Sequence, residues 1–146
     1  MKLYYAPGAC SMNPHIVLRE AGLNFDLEKV ELSTHKTAKG TDYYSVNPKG
    51  YVPALELDNG QVLTENPAIV QYIADQKPES KLAPANGTLE RYRLQEWLGF
   101  IGTEIHKTFS PLWNPKITDA EKAAAQEKIG KRFDYVVKEH GDKPDL

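Results

Sequence analysis

The one cysteine of this 146-residue chain is Cys10. It stands in "YYAPGACSMNPH", just after the Pro7-Gly8 break and just before a helix start. Free cysteine is commonly buried as a small apolar residue. At a helix N-terminus the same thiol meets backbone N–H groups and the positive end of the helix dipole, and both favour the thiolate. The position three residues on is Asn13, so a dithiol cycle within the chain is excluded. A single thiol can still form a mixed disulfide with a small thiol.

Other positions carry chemistry beside a structural alternative. Pro53 interrupts an apolar run; it either starts the strand Ala54-Leu55-Glu56-Leu57 or follows a cis bond that bares the Val52 backbone to a ligand. Glu65-Asn66 precede Pro67 at a second helix start. Asn66 either caps that helix or, with the free N–H groups, takes a ligand carboxylate while Glu65 takes an ammonium, a set suited to an α-amino acid head group. His106-Lys107 form either a solvated face or a donor beside an acidic ligand or a thiolate. The Tyr5 ring belongs to a core, with its hydroxyl within reach of a site at the strand end. His15, His35, His106 and His140 show no metal-ligand spacing, and no metal is expected.

Composition narrows the classes. A net charge of -2 gives no basic excess for nucleic acid. No apolar run reaches membrane-spanning length, and the N-terminal stretch is too short and interrupted for a signal peptide. One cysteine makes no internal disulfide, which points to a reducing compartment. A soluble cytoplasmic protein without a nucleic-acid or membrane partner is expected.

The elements that must position these residues follow from periodicity. Leu3-Tyr4-Tyr5-Ala6 reads as a strand. A helix follows, opening either at an Asn13 cap or one turn earlier near Cys10, and stopping at Gly22. Phe25 to Leu32 alternates as a strand, Ser33 to Asn47 is irregular with room for a short helix, and "YVPALEL-DNG-QVLT" is a hairpin signature. Asn66 is expected to cap the next helix, with Pro67 at its first position and Ile69, Tyr72 and Ile73 on its apolar face. These make an α+β domain over residues 1–76, a mixed four-stranded sheet with helices, and "KPESKLAPANG" reads as a linker over 77–87. Residues 88–146 read as all helical. One long helix is expected from Leu89 to Leu112, ended by Pro111 and Pro115. A second is opened by a Thr118–Glu121 capping box, carries Ile129, Phe133, Val136 and Val137, and stops at Gly141. Two such helices cannot enclose a core between them, so their stripes need another surface, and Trp97, Ile101 and Phe133 are candidates for exposure.

Taken together, "NPKGYVPALELDNGQVLTENPAIVQYIAD" resembles the glutathione-binding half of the glutathione S-transferase family, and "MKLYYAPGACS" is similar to its bacterial beta-class branch. The resemblance continues through "LAPANG" and "RYRLQEWLGFIGTEIHKTFSPLW". It implies a thioredoxin-like N-terminal domain, an all-α C-terminal domain, glutathione as co-substrate and a homodimer. It implies that Cys10 faces the glutathione sulfur, that Val52 ahead of a cis Pro53 pairs with the cysteinyl part, and that Glu65 and Asn66 hold the γ-glutamyl head. His106 would line the site near the sulfur, with Thr103 and Glu104 contributing across the dimer. His35 stands where the family often carries a lysine for the glycyl carboxylate, with Lys36 beside it as a substitute. Gly99 stands where many relatives have an asparagine that reaches the partner's glutathione. Relatives continue into further helices, so the all-α part is expected to be incomplete.

Three functions compete at this stage. One is a glutathione transferase acting on small electrophiles, with thiol transfer as a side activity. The second is a glutaredoxin-like thiol-disulfide oxidoreductase, which the helical second half disfavours. The third is a glutathione-binding module without catalysis.

Overall fold

The computed structural model describes residues 1–141, and the chain divides into two compact units, Met1–Leu94 and one beginning at Gln95. The last residues of the helical stretch expected over 88–146 lie outside the described residues.

In the first unit, β1 (Lys2–Tyr5) leads to α1 (Met12–Glu20), and β2 (Asp26–Glu31) returns parallel to β1. β3 (Lys36–Thr37) turns back along β2, and a 3-10 turn occupies Tyr43–Ser45. β4 (Ala54–Glu56) and β5 (Val62–Thr64) form the expected hairpin, with β4 antiparallel to β1, and α2 (Asn66–Asp75) follows. The strand order is β3-β2-β1-β4-β5. The four expected strands are thus joined by a fifth of two residues, too short to display an alternation in sequence.

Period-2 alternation gives the sheet two buried faces. Leu3 and Leu55 point to one, where Leu18 of α1, Ala21 just after it, and Ile69 and Ile73 of α2 close over them. Tyr4, Val30 and Ala54 point to the other, packed with Tyr43, Ala6 and Val52. Each large apolar side chain so buried contributes about 1.5–3 kcal/mol. The second face also holds Glu28. Burial would raise the pKa of its carboxyl, but the Lys39 N–H at 3.2 Å and the Lys39 ammonium at 3.3 Å outweigh that and lower it.

Both helix starts differ in detail from the expectation. α1 is capped at Ser11, not Asn13, so Pro14 falls inside the first turn; this is the earlier of the two openings considered. Its end is the expected one: Gly22 (φ 64°) donates to Arg19 O and Leu23 to Leu18 O, a Schellman pair. α2 begins with Asn66 inside the helix and Glu65 at the cap (φ 71°), and the Asn66 side chain bonds elsewhere.

The linker is fixed at its far end by Arg91, in the first turns of α3 (Leu89–Phe100). Arg91 is only 3% exposed. Its guanidinium donates to both Asp75 carboxylate oxygens at 2.8 Å, to Gln71 Oε1 at 3.1 Å and to the Pro84 carbonyl at 3.1 Å. A buried cation is tolerable only when paired and saturated in this way.

The continuous helix expected from Leu89 to Leu112 is instead α3, a π-helical stretch at Ile101–Ile105 and a 3-10 segment at His106–Trp113. Pro111 lies inside that last segment rather than ending the helix. Proline has no backbone N–H, so the one bond that Pro111 would donate is missing from that segment. α4 (Asp119–His140) opens with the expected capping box: Thr118 Oγ1 accepts from Glu121 N, and the Glu121 carboxylate accepts from Thr118 N. Of the apolar residues expected to be uncovered, Ile101 and Phe133 are exposed, whereas Trp97 is half-buried among Phe100, Tyr135 and His140. Trp113 is 80% exposed and Val137 66%. Among the described residues no helix is long and apolar enough to cross a membrane.

The Arg91 site predicts a stability effect with a pH signature. The Asp75 carboxyl is held below its ordinary range, first by its hydrogen bonds from Arg91. Its contribution is therefore complete above the unfolded carboxyl pKa of about 3.9 and is lost as pH falls through the lower folded value. Asp75→Asn removes the counter-charge of a buried guanidinium that keeps Gln71 and Pro84 as acceptors, and should cost about 1–3 kcal/mol at neutral pH. Urea melts should show this loss shrinking as pH falls below about 4; an equal loss at acidic and neutral pH would contradict the assignment.

Candidate functional site

The site forms where β1 ends and the two helices of the first unit begin. The loop after β1 is closed at its base by Ser11, almost fully buried, whose hydroxyl accepts from Ala6 N–H at 3.1 Å and donates to Ala6 O at 3.2 Å. That clasp holds Pro7 to Cys10 as a tight projection from the sheet edge. The Cys10 thiol donates to the Val52 carbonyl at 3.5 Å, a bond that uses the thiol proton. Val52 precedes Pro53 through a cis peptide bond, the sharper of the two readings of that dipeptide. The Tyr51 carbonyl, one residue earlier, accepts from the Tyr43 hydroxyl at 2.9 Å and from Asn47 Nδ2 at 2.7 Å. Burial pushes the Tyr43 hydroxyl up to about 12, so it stays a neutral donor over the whole physiological range.

Asn66 joins the two helix starts. Its Nδ2 donates to the Cys10 carbonyl at 2.8 Å, and its Oδ1 accepts from Asn13 Nδ2 at 3.0 Å. The position that a second redox cysteine would need is therefore engaged with Asn66. Glu65 precedes Asn66 with its carboxylate exposed and paired to Lys49 Nζ at 2.7 Å. Its own carbonyl accepts the Ala68 and Ile69 N–H groups at 3.1 and 3.0 Å.

Cys10, Val52, Pro53, Glu65 and Asn66 are thus assembled through direct bonds or chain adjacency. His35 lies beyond this group: its ring stacks on Tyr44 at 4.6 Å, and both rings crowd Gly50. A Cβ on Gly50 would meet Tyr44 at 2.8 Å and His35 at 3.0 Å, so that turn needs glycine for space as well as for its φ of 71°. Lys36 is exposed on β3, opposite Glu31. Tyr5 packs on the first core cluster, with its ring 6.4 Å from His15. Thr103, Glu104 and His106 belong to the second unit. There Thr103 donates to Gly99 O at 3.0 Å, Glu104 pairs with Arg132 at 2.6 Å, and His106 opens the 3-10 segment. A Cβ on Gly99 would meet nothing within 4 Å. Ser11, Asn47 and Lys49 carry no signal in the sequence, because each acts through a partner distant in the chain or through backbone, and Asn13, expected as a cap, instead donates to Asn66. Among the described residues, no group of three His, Cys, Asp or Glu side chains is gathered as metal ligands would be.

Comparison with known proteins shows the family. Residues 8–76 match the family described as glutathione S-transferase, N-terminal domain. Glutathione S-transferase GstA of Escherichia coli O157:H7 is 46% identical over 136 residues, which is 93% of this chain and 68% of that protein. The solved ternary complex of BphK, a bacterial GST, superposes with a TM-score of 0.96 at 58% identity, covering 100% of this chain and 73% of that one. The structure of a sphingomonad glutathione S-transferase complexed with glutathione gives 0.96 at 52% identity, with the same coverage. The first unit carries a thioredoxin-like glutathione S-transferase N-terminal domain, and an all-helical region follows it. The chain belongs to the glutathione S-transferase family, and it spans roughly two thirds to three quarters of the length of these relatives.

The Asn66 bridge is testable without a ligand. Asn66→Ala removes the donor to the Cys10 carbonyl and the acceptor for Asn13, and should lower folding stability by about 1–2 kcal/mol. An unchanged denaturation midpoint would show that the two helix starts are held by packing alone.

Proposed function

We propose that the chain is a glutathione transferase that presents the glutathione sulfur to small electrophiles, with Cys10 facing that sulfur. The observation that carries this reading is the joining of Cys10 to the Val52 carbonyl and, through Asn66, to the start of α2. In this reading the Val52 backbone pairs with the cysteinyl part of glutathione. Asn66, through its backbone N–H and the second hydrogen of its amide nitrogen, takes the γ-glutamyl carboxylate, and Glu65 takes the ammonium. His35 and Lys36 compete for the glycyl carboxylate. Tyr5 supports the strand end beneath Cys10. In conjugation the glutathione thiolate attacks the electrophilic carbon, a carbon–sulfur bond forms, and the leaving group departs with the bonding pair. In thiol transfer the Cys10 thiolate attacks one sulfur of oxidised glutathione. The disulfide breaks, a mixed disulfide forms on Cys10, and the released glutathione thiolate takes a proton.

The family resemblance gives His106, Thr103 and Glu104 roles in glutathione chemistry, the last two in a homodimer. A cytoplasmic, reducing setting suits a single free thiol, and removal of small electrophiles is the physiological role that follows. The dimer is supported by the apolar side chains left uncovered along residues 101–137.

Two measurements test the reading. Incubation with oxidised glutathione should add one glutathione by mass spectrometry, and Cys10→Ala should abolish both the adduct and hydroxyethyl-disulfide reduction. Glutathione binding should survive in that variant, because the peptide is held by Val52, Glu65 and Asn66. A native protein with neither adduct nor conjugation of a chloronitrobenzene would sink the transferase assignment. For the dimer, sedimentation over a range of concentrations should show twice the chain mass; a folded monomer at every concentration would rule it out.

A further inference from the structure

We propose that Lys49 is a specificity-determining residue of this site. It acts as an internal counter-ion for the Glu65 carboxylate, competes with the ligand's ammonium, and so sets how much that ammonium contributes to binding. The inference rests on the glutathione reading above.

Lys49 Nζ lies 2.7 Å from Glu65 Oε1 and 3.2 Å from Thr64 Oγ1. Exposed lysine–glutamate pairs ordinarily join two mobile side chains and are worth little. Here both backbones are pinned. The Lys49 N–H donates to Asn47 Oδ1 at 3.1 Å, and Asn47 is buried with its amide on the Tyr51 carbonyl. Gly50 then turns the chain toward Val52. On the other side Glu65 is held at φ 71° as the cap of α2. The same short segment therefore fixes the Val52 backbone and aims an ammonium at the acid assigned to the ligand's amine.

An amine arriving at Glu65 must share one carboxylate with Lys49 or displace it, and the two cations repel each other. The Lys49 side chain is 51% exposed and that of Glu65 66%, so water and salt screen this repulsion. The effect is then a factor of a few, not orders of magnitude. It falls on ligands that carry the amine and spares those that lack it, because a ligand without an ammonium makes no claim on Glu65.

The test compares glutathione with desamino-glutathione, which keeps the thiol and both carboxylates and lacks only the ammonium. Dissociation constants are measured by calorimetric titration for the wild-type chain, Lys49→Met and Lys49→Arg. Any effect of the lysine charge on the ligand carboxylates cancels in the ratio of the two constants. The preference for glutathione over its desamino analogue should rise about three- to fivefold in Lys49→Met. It should stay at the wild-type value in Lys49→Arg, which keeps the charge. An unchanged or smaller preference in Lys49→Met, or an equal rise in Lys49→Arg, overturns the role of Lys49 and leaves the glutathione reading standing. A wild-type chain that binds neither ligand overturns the glutathione reading itself, and this assignment with it.

Discussion

The hydrogen bond from the Asn66 amide to the Cys10 carbonyl joins two segments 56 residues apart and sets the form of the site. It ties the projection after β1, already clasped by Ser11, to the start of α2, where the Glu65 carbonyl is held by the Ala68 and Ile69 N–H groups. With it, the thiol, the Val52 carbonyl and the acidic cap are held as one group. The bond is short, 2.8 Å, and partly shielded, so it is worth about 0.5–1.5 kcal/mol to folding. Its larger effect is positional. Ser11, bonded to Ala6, closes the loop that carries Cys10, and the thiol itself donates to the Val52 carbonyl, so the backbone and the sulfur of Cys10 are each held.

Polar groups do much of the work that apolar packing does elsewhere in the first unit. Arg91 fastens the linker to α2 by saturating its guanidinium on Asp75, Gln71 and Pro84. Tyr43 and Asn47 converge on one carbonyl to hold the approach to Pro53. Each of these groups is hydrogen-bonded where it lies, and such satisfied polar networks favour this arrangement over its alternatives. The second unit is organised differently. It has a well-capped α4, a helical segment that changes hydrogen-bonding pattern twice, and several large apolar side chains in solvent.

Charge in the site is arranged as a close pair of opposite sign. Glu65 is the acid a ligand amine needs, and Lys49 is the cation already beside it. Such a pair lowers the cost of holding a carboxylate in one place and makes its availability adjustable by a single side chain.

Much was legible in the sequence because it depends on near neighbours. The capping box at Thr118, the stop at Gly22, the hairpin around Asp58-Asn59-Gly60 and the apolar face of α2 are local rules written in adjacent residues. The family was legible too, since Val52-Pro53, Glu65-Asn66-Pro67 and Cys10 occur together. Tertiary structure decided the rest. Ser11 stands at the cap position of α1, but its hydroxyl bonds Ala6 across the loop and not the helix. Asn66 gave up the cap to Glu65 because its side chain was needed at Cys10 and Asn13. β3 is only two residues long and is set by pairing with β2, not by its own pattern. Lys49 and Arg91 read as ordinary surface charges until folding brought Glu65 and Asp75 to them. A side chain's partner is local information only when the chain is a helix or a hairpin. Elsewhere it is fixed by which elements the buried faces of the sheet bring together.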